Sequence, residues 1–179
     1  MMDVIKIIDK YYKENVALRD ILLIHSKAVT RRALNIADKH PELKLDRTFI
    51  EEAAMLHDIG IIECNAPAIQ CFGTMPYICH GVLGAEMLRK EGLPRHARVC
   101  ERHTGAGLPL DEILEQKLPL PHCDLQPETL DEQVICYADK FFSKTRLDHE
   151  KTIEEAEKSL RKFGDRGVLR FRKWTDMFE

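Results

Sequence analysis

An all-helical bundle is the fold that this sequence predicts. Apolar residues recur at intervals of three and four along most of the chain, the spacing that gives a helix one apolar face. No stretch shows a convincing strand alternation, and no internal repeat is present. The 179 residues are 44% hydrophobic and 32% charged, which suits one folded domain, expected over 1–179 with its core at about 20–148.

The elements follow in order. Residues 2–14 carry Val4, Ile5, Ile8, Tyr11 and Tyr12 on one stripe and predict a first helix. Residues 16–39 predict one long helix or two short ones. "HPELKLD" breaks the pattern, and Asp46 is placed to cap a helix running to Asp58, with Gly60 as its stop. The segment 61–79 holds Pro67, Gly73 and Pro76 and predicts a long loop, a kind of segment that often carries function. Helices are expected at 80–91 and 95–103, a turn at "TGAGLP", and a short helix at 111–117. After the irregular "LPLPHCDLQPE" a helix is expected over 129–146. Two charged amphipathic segments at 151–163 and 165–177 follow, with apolar positions such as Ile153, Leu160, Phe171 and Trp174. They are expected to cover the core, form a lid or make a homodimer contact.

Charge and cysteine usage narrow the function classes. The net charge of −3 and pI near 6.3 argue against broad electrostatic binding to RNA, DNA or anionic membrane, so no nucleic acid polymer and no membrane are expected as partners. No apolar run approaches the roughly 20 residues that cross a bilayer. The N-terminus lacks the apolar block of a signal peptide, and a cytoplasmic location is expected. The six cysteines form no C-x-x-C pair, so a zinc ribbon is excluded and free thiols are expected. Cys64, Cys71 and Cys79 share one predicted loop, which leaves a minor redox or metal role open.

The chemistry lies on the apolar stripes. In "AAMLHDIGIIE", residues 53–63, the core-facing stripe Phe49, Ile50, Ala53, Ala54 continues four residues on into His57 and Asp58. His25 extends the stripe of Leu18, Leu22 and Val29. His80 precedes Leu83, Gly84, Met87 and Leu88. His103 follows Val99 and Cys100, and Asp139 lies between Ile135 and Phe142. One histidine on an apolar face is usually a core residue with a hydrogen-bond partner. Four imidazoles and two carboxylates in one core need a compensating cation. Nitrogen and oxygen donors of this kind suit one or two divalent ions of Fe, Mn, Co, Ni, Zn or Mg. His96 shares the face of His103 and is a reserve ligand. His122 is placed to cover the site, whereas His40 and His149 fit it less well.

These residues resemble a known family. "HS" at 25, "HDIG" at 57–60, "HG" at 80–81, "RHTGAGLP" at 102–109 and "YADK" at 137–140 look like the HD-domain metal-dependent phosphohydrolases, in their HDIG subgroup. The resemblance implies a helical fold of the HD-domain type around a buried metal site. By it, His25, His57, Asp58 and Asp139 match the core metal ligands. His80 and His103 match the extra histidines of members that hold two metals, with Asp58 bridging. Two positions depart from the pattern: Ile61 stands where many members have lysine, and Arg102 where the cyclic-dinucleotide subgroup often has histidine.

The activity expected from this set is metal-assisted hydrolysis of a nucleotide or another small phosphoester. Asp58, His57, His80 and His103 are the candidate catalytic residues. Arg102, Lys140, Lys144 and Arg146 are the candidate phosphate-binding residues, with Arg146 two helical turns beyond Asp139. Two rival readings use the same residues: a di-iron oxygenase of the HD superfamily, and a catalytically silent module that binds a nucleotide or partner.

Overall fold

A computed structural model describes residues 2–179. Nine α-helices among them carry the fold: α1 (Val4–Tyr12), α2 (Val16–Lys39), α3 (Arg47–Leu56), α4 (His80–Lys90), α5 (Pro94–Arg102), α6 (Leu110–Glu115), α7 (Leu130–Asp139), α8 (Ile153–Leu160) and α9 (Asp165–Phe178). Short polar side chains set several of the starts. Asp3, Asn15 and Asp46 each accept the amide of the residue three further on, and Thr129 and Thr152 form capping boxes with Glu132 and Glu155. Each bond satisfies an amide that the helix itself leaves without a partner.

Two apolar clusters form most of the core. The first joins the second half of α2 (Val29, Ala33, Ile36) to α3, α7 and α9. In it, Tyr137 of α7 lies 4.9 Å from the Phe171 ring and 5.4 Å from that of Phe178 on α9. Burying each of these phenylalanines contributes about 1.5–3 kcal/mol. The second cluster joins α1 and the first half of α2 (Leu18, Leu22) to α4, α5 and a 3₁₀ turn at Ile59–Glu63. α2 is one unbroken helix and runs through both clusters. His25 sits on it between Leu22 and Val29, at the seam.

The fold departs from the sequence expectation in three places. α3 ends at Leu56, before the expected Asp58, and Gly60 is not its stop. The turn carrying Gly60 presses against α4: a Cβ there would lie 2.2 Å from the His80 carbonyl oxygen and 2.3 Å from the Gly84 nitrogen. α7 ends at Asp139 instead of continuing to 146. Past it the chain folds back, with the Lys151 amide bonded to the Phe141 carbonyl oxygen at 2.8 Å and Phe141 buried beneath Tyr137 and Phe171. The segment 61–79 is a string of 3₁₀ turns around a two-residue hairpin, β1 (Asn65–Ala66) antiparallel to β2 (Cys71–Phe72), with Asn65 opposite Phe72. No helix among the described residues is long and apolar enough to cross a membrane.

Candidate metal centre

Five helical elements deliver their ionisable groups to one point. His25 comes from the middle of α2. His57 and Asp58 follow the end of α3, His80 opens α4, His103 follows α5 and Asp139 closes α7. All six are buried. They form two overlapping groups whose ligand atoms lie within 4.8 Å of one another: His25, His57, Asp58 and Asp139, and Asp58, His80 and His103. Asp58 belongs to both and faces each with a different oxygen. Its Oδ2 is 3.0 Å from His25 Nε2 and 3.1 Å from His57 Nε2. Its Oδ1 is 3.4 Å from His80 Nε2 and 3.3 Å from His103 Nε2.

Backbone carbonyls orient three of the imidazoles. The Nδ1 atoms of His57, His80 and His103 each lie 2.7 Å from the carbonyl oxygen three residues back, on Ala54, Tyr77 and Cys100. A carbonyl only accepts, so each Nδ1 carries the hydrogen and each Nε2 turns to the centre. Burial, with the neighbouring His103, pushes the His80 imidazole down to about 3, and burial also lowers His103. Both rings are therefore neutral. Their Nε2 atoms, 3.0 Å apart, then aim lone pairs at each other, an arrangement that repels unless a cation receives them. Oδ1 of Asp58 is buried without a hydrogen-bond partner, while its Oδ2 has the Lys144 ammonium against it. An unbonded carboxylate oxygen beside oriented imidazole lone pairs fits divalent metal binding.

The carboxylates hold their charge. Burial alone would raise Asp58 and Asp139, but Lys144 and His57 around the first, and Lys140 and the histidines around the second, hold both well below the usual carboxylate range. Burial works against a charge on His57 as well, and the two carboxylates outweigh it and push this imidazole up to about 9. A metal binding here displaces a proton.

A cavity of about 350 Å³ opens beside the centre, reaching His80, His103 and Asp139. Lys140, Lys144, Lys151 and Lys162 line it, with Tyr77, Leu160 and Phe163 among its apolar walls. Lys140 is committed: its Nζ lies 2.7 Å from Asp139 Oδ2 and donates to the His103 carbonyl oxygen at 2.9 Å. The structure does not bring Arg102 or Arg146 to the cavity. Arg102 bonds the Gln126 carbonyl oxygen and Glu128. Arg146 is exposed, because α7 stops before the turns that would have aligned it with Asp139. Nor do the other histidines join. His96 stands against Glu52 and Phe49, His122 is exposed away from the cavity, and His40 and His149 pair with Glu42 and Glu155. Lys151, Lys162 and Tyr77 escape the sequence reading, whereas Phe163 belongs to the apolar positions of the C-terminal segments expected to cover the core, form a lid or make a dimer. The first two come from the C-terminal segment and carry no local signal. Tyr77 could be found as the residue whose carbonyl, three before His80, holds that ring.

The cysteines make no site. Cys64 donates weakly to the Gly60 and Pro76 carbonyls and Cys79 to that of Pro119. Burial pushes the Cys64 thiol up to about 12 and that of Cys71 to about 11, which leaves them unreactive.

Comparison with known proteins finds relatives of the chain. A tRNA (cytidine(56)-2′-O)-methyltransferase of Picrophilus torridus is 36% identical over 129 residues, covering 72% of this chain and 33% of that protein. The protein of the same name in Thermoplasma volcanium is 34% identical over 137 residues, 76% of this chain and 35% of its own length. An uncharacterized protein of Methanocaldococcus jannaschii is 34% identical over 142 residues, 77% of this chain and 76% of that protein. The chain thus spans about a third of the two methyltransferases. No solved structure matches. These names overturn the expected activity: they denote methyl transfer, neither phosphoester hydrolysis nor oxygenation. They also overturn the exclusion of a nucleic acid polymer. Net charge averages the whole surface, whereas four lysines collect at one cavity. The HD domain family itself matches residues 22–143, more than half of the sequence, and to that family the chain belongs.

Proposed function

We propose that the chain is a divalent-metal-binding domain that engages tRNA within a ribose 2′-O-methylation system, with a phosphate group of the RNA received at the metal centre and its lysine-lined cavity. The match to a third of two proteins named for that methylation carries the reading. The chemistry of the centre supports one share of the task for this third. Imidazoles and carboxylates around divalent ions make a site for anionic oxygen, and the surrounding lysines extend it. Methyl transfer to a ribose hydroxyl needs a bound methyl donor, which this centre does not resemble. The domain's part is therefore to hold the RNA.

His25, His57, Asp58 and Asp139 would hold one ion, and His80, His103 and the second oxygen of Asp58 another. A single ion would leave the opposed lone pairs of His80 and His103 uncompensated. An ion bound there supplies an electrophile for a phosphate oxygen.

The test is tRNA binding by the purified chain loaded with Mn²⁺. With a net charge of −3 the chain has little non-specific affinity for a polyanion, so binding should depend on the centre. A chelator and Asp58→Ala should each weaken it about tenfold or more. Equal affinity with and without metal would overturn the reading, as would methylation of tRNA by this chain alone.

A further inference from the structure

We propose that Lys144 is a built-in counter-cation for Asp58 which a metal ion displaces, so that loading the centre is what turns Lys144 toward the cavity and completes an oxyanion site. The inference rests on the metal-binding reading above and concerns one lysine that the metal groups do not include.

The position of its ammonium carries the argument. Lys144 Nζ is 2.5 Å from Asp58 Oδ2, the same oxygen that His25 and His57 approach at 3.0 and 3.1 Å. It therefore lies against the atom that the first metal group must offer an ion. Lys140 provides the contrast. It pairs with Oδ2 of Asp139, while His25 and His57 approach Oδ1 of that residue. Lys140 supports a ligand from its outer oxygen, whereas Lys144 competes for a ligand's inner one. Two cations on one buried carboxylate oxygen repel, and the ion has the imidazoles as further ligands, which the ammonium cannot use.

Lys144 also has somewhere to go. It follows α7 on the turn closed between Ser143 and Arg146, one residue beyond the part of the chain that matches the family. Its side chain lines the cavity already, and its Nζ is 6.0 Å from the centre of the Tyr77 ring, which forms the facing wall. Released from Asp58, the ammonium moves along that face into the cavity, where a phosphate oxygen replaces the carboxylate. Metal and anion each favour the outward lysine, so by linkage each must raise affinity for the other.

The test uses the full chain stripped of metal, titrated with Mn²⁺ by calorimetry with and without inorganic phosphate. Lys144→Met should bind the first ion about tenfold more tightly than wild type, because the competing charge is gone. Lys140→Met should bind it more weakly. Phosphate should raise Mn²⁺ affinity in wild type and lose most of that effect in Lys144→Met. In wild type, Mn²⁺ should also increase the modification of Lys144 by an amine-acylating reagent, read by mass spectrometry, which requires no variant to fold. Unchanged or weaker metal affinity in a folded Lys144→Met overturns the proposal, and so does Lys144 labelling that metal does not increase. A loaded wild type that binds phosphate but not tRNA, with metal-increased labelling of Lys144, would instead overturn the RNA reading and support the role of Lys144.

Discussion

At the scale of single residues, Asp58 carries the heaviest demand, since each of its oxygens faces a different set of histidines. Loss of a group that merely supports a ligand typically weakens metal binding about 10–100-fold. Asp58→Ala should exceed that, and should cost more metal than His80→Ala, as read by elemental analysis after dialysis. Equal metal content in Asp58→Ala and wild type would refute the assignment. The convergence of His25, His57, Asp58, His80, His103 and Asp139 is legible in the sequence for one reason: each extends an apolar stripe, and a stripe shows which way a side chain points. Lys151 and Lys162 are illegible for the matching reason. They are long polar residues just outside α8, Lys151 before its start and Lys162 on the 3₁₀ turn after its end, and only the path of the C-terminal segment brings them to the cavity.

At the scale of elements, helix starts are written locally and helix contacts are not. Asp46 is readable as a cap, and its carboxylate accepts the Phe49 amide at 3.0 Å. The cap of α7 is equally local, and Thr129→Ala, which breaks its capping box, should destabilise the protein by about 1 kcal/mol. Gly60 shows the limit. Beside a helix end it reads as a stop, but what excludes a side chain there is the backbone of α4. Backbone atoms cannot rotate aside, so Gly60→Ala should cost about 3 kcal/mol or more. Urea unfolding of both variants checks the order, and a Gly60→Ala protein as stable as Thr129→Ala would contradict the close approach. The end of α7 escapes the sequence in the same way, because Phe141 and Phe142 continue its apolar period while the chain turns to pack Phe141 under α9.

At the scale of the whole molecule, the metal groups sit where two apolar clusters meet, and every element that supplies a ligand belongs to one cluster or bridges both. An ion at 100 times its dissociation constant adds about 2.7 kcal/mol to stability, which for a chain of this size raises the melting temperature by roughly 5–10 °C. Chelation should remove that increment, and calorimetry reads it directly. A melting temperature indifferent to chelator would mean that the seam holds itself. The seam has a consequence for the life of the protein in a cell. If the centre holds an ion, a newly made chain without it would join two hydrophobic halves across the opposed lone pairs of His80 and His103 and would open there more often. Proteases act on such openings in proportion to their population. The amount of this protein that survives would then follow the supply of metal, with degradation clearing the copies that never acquired it.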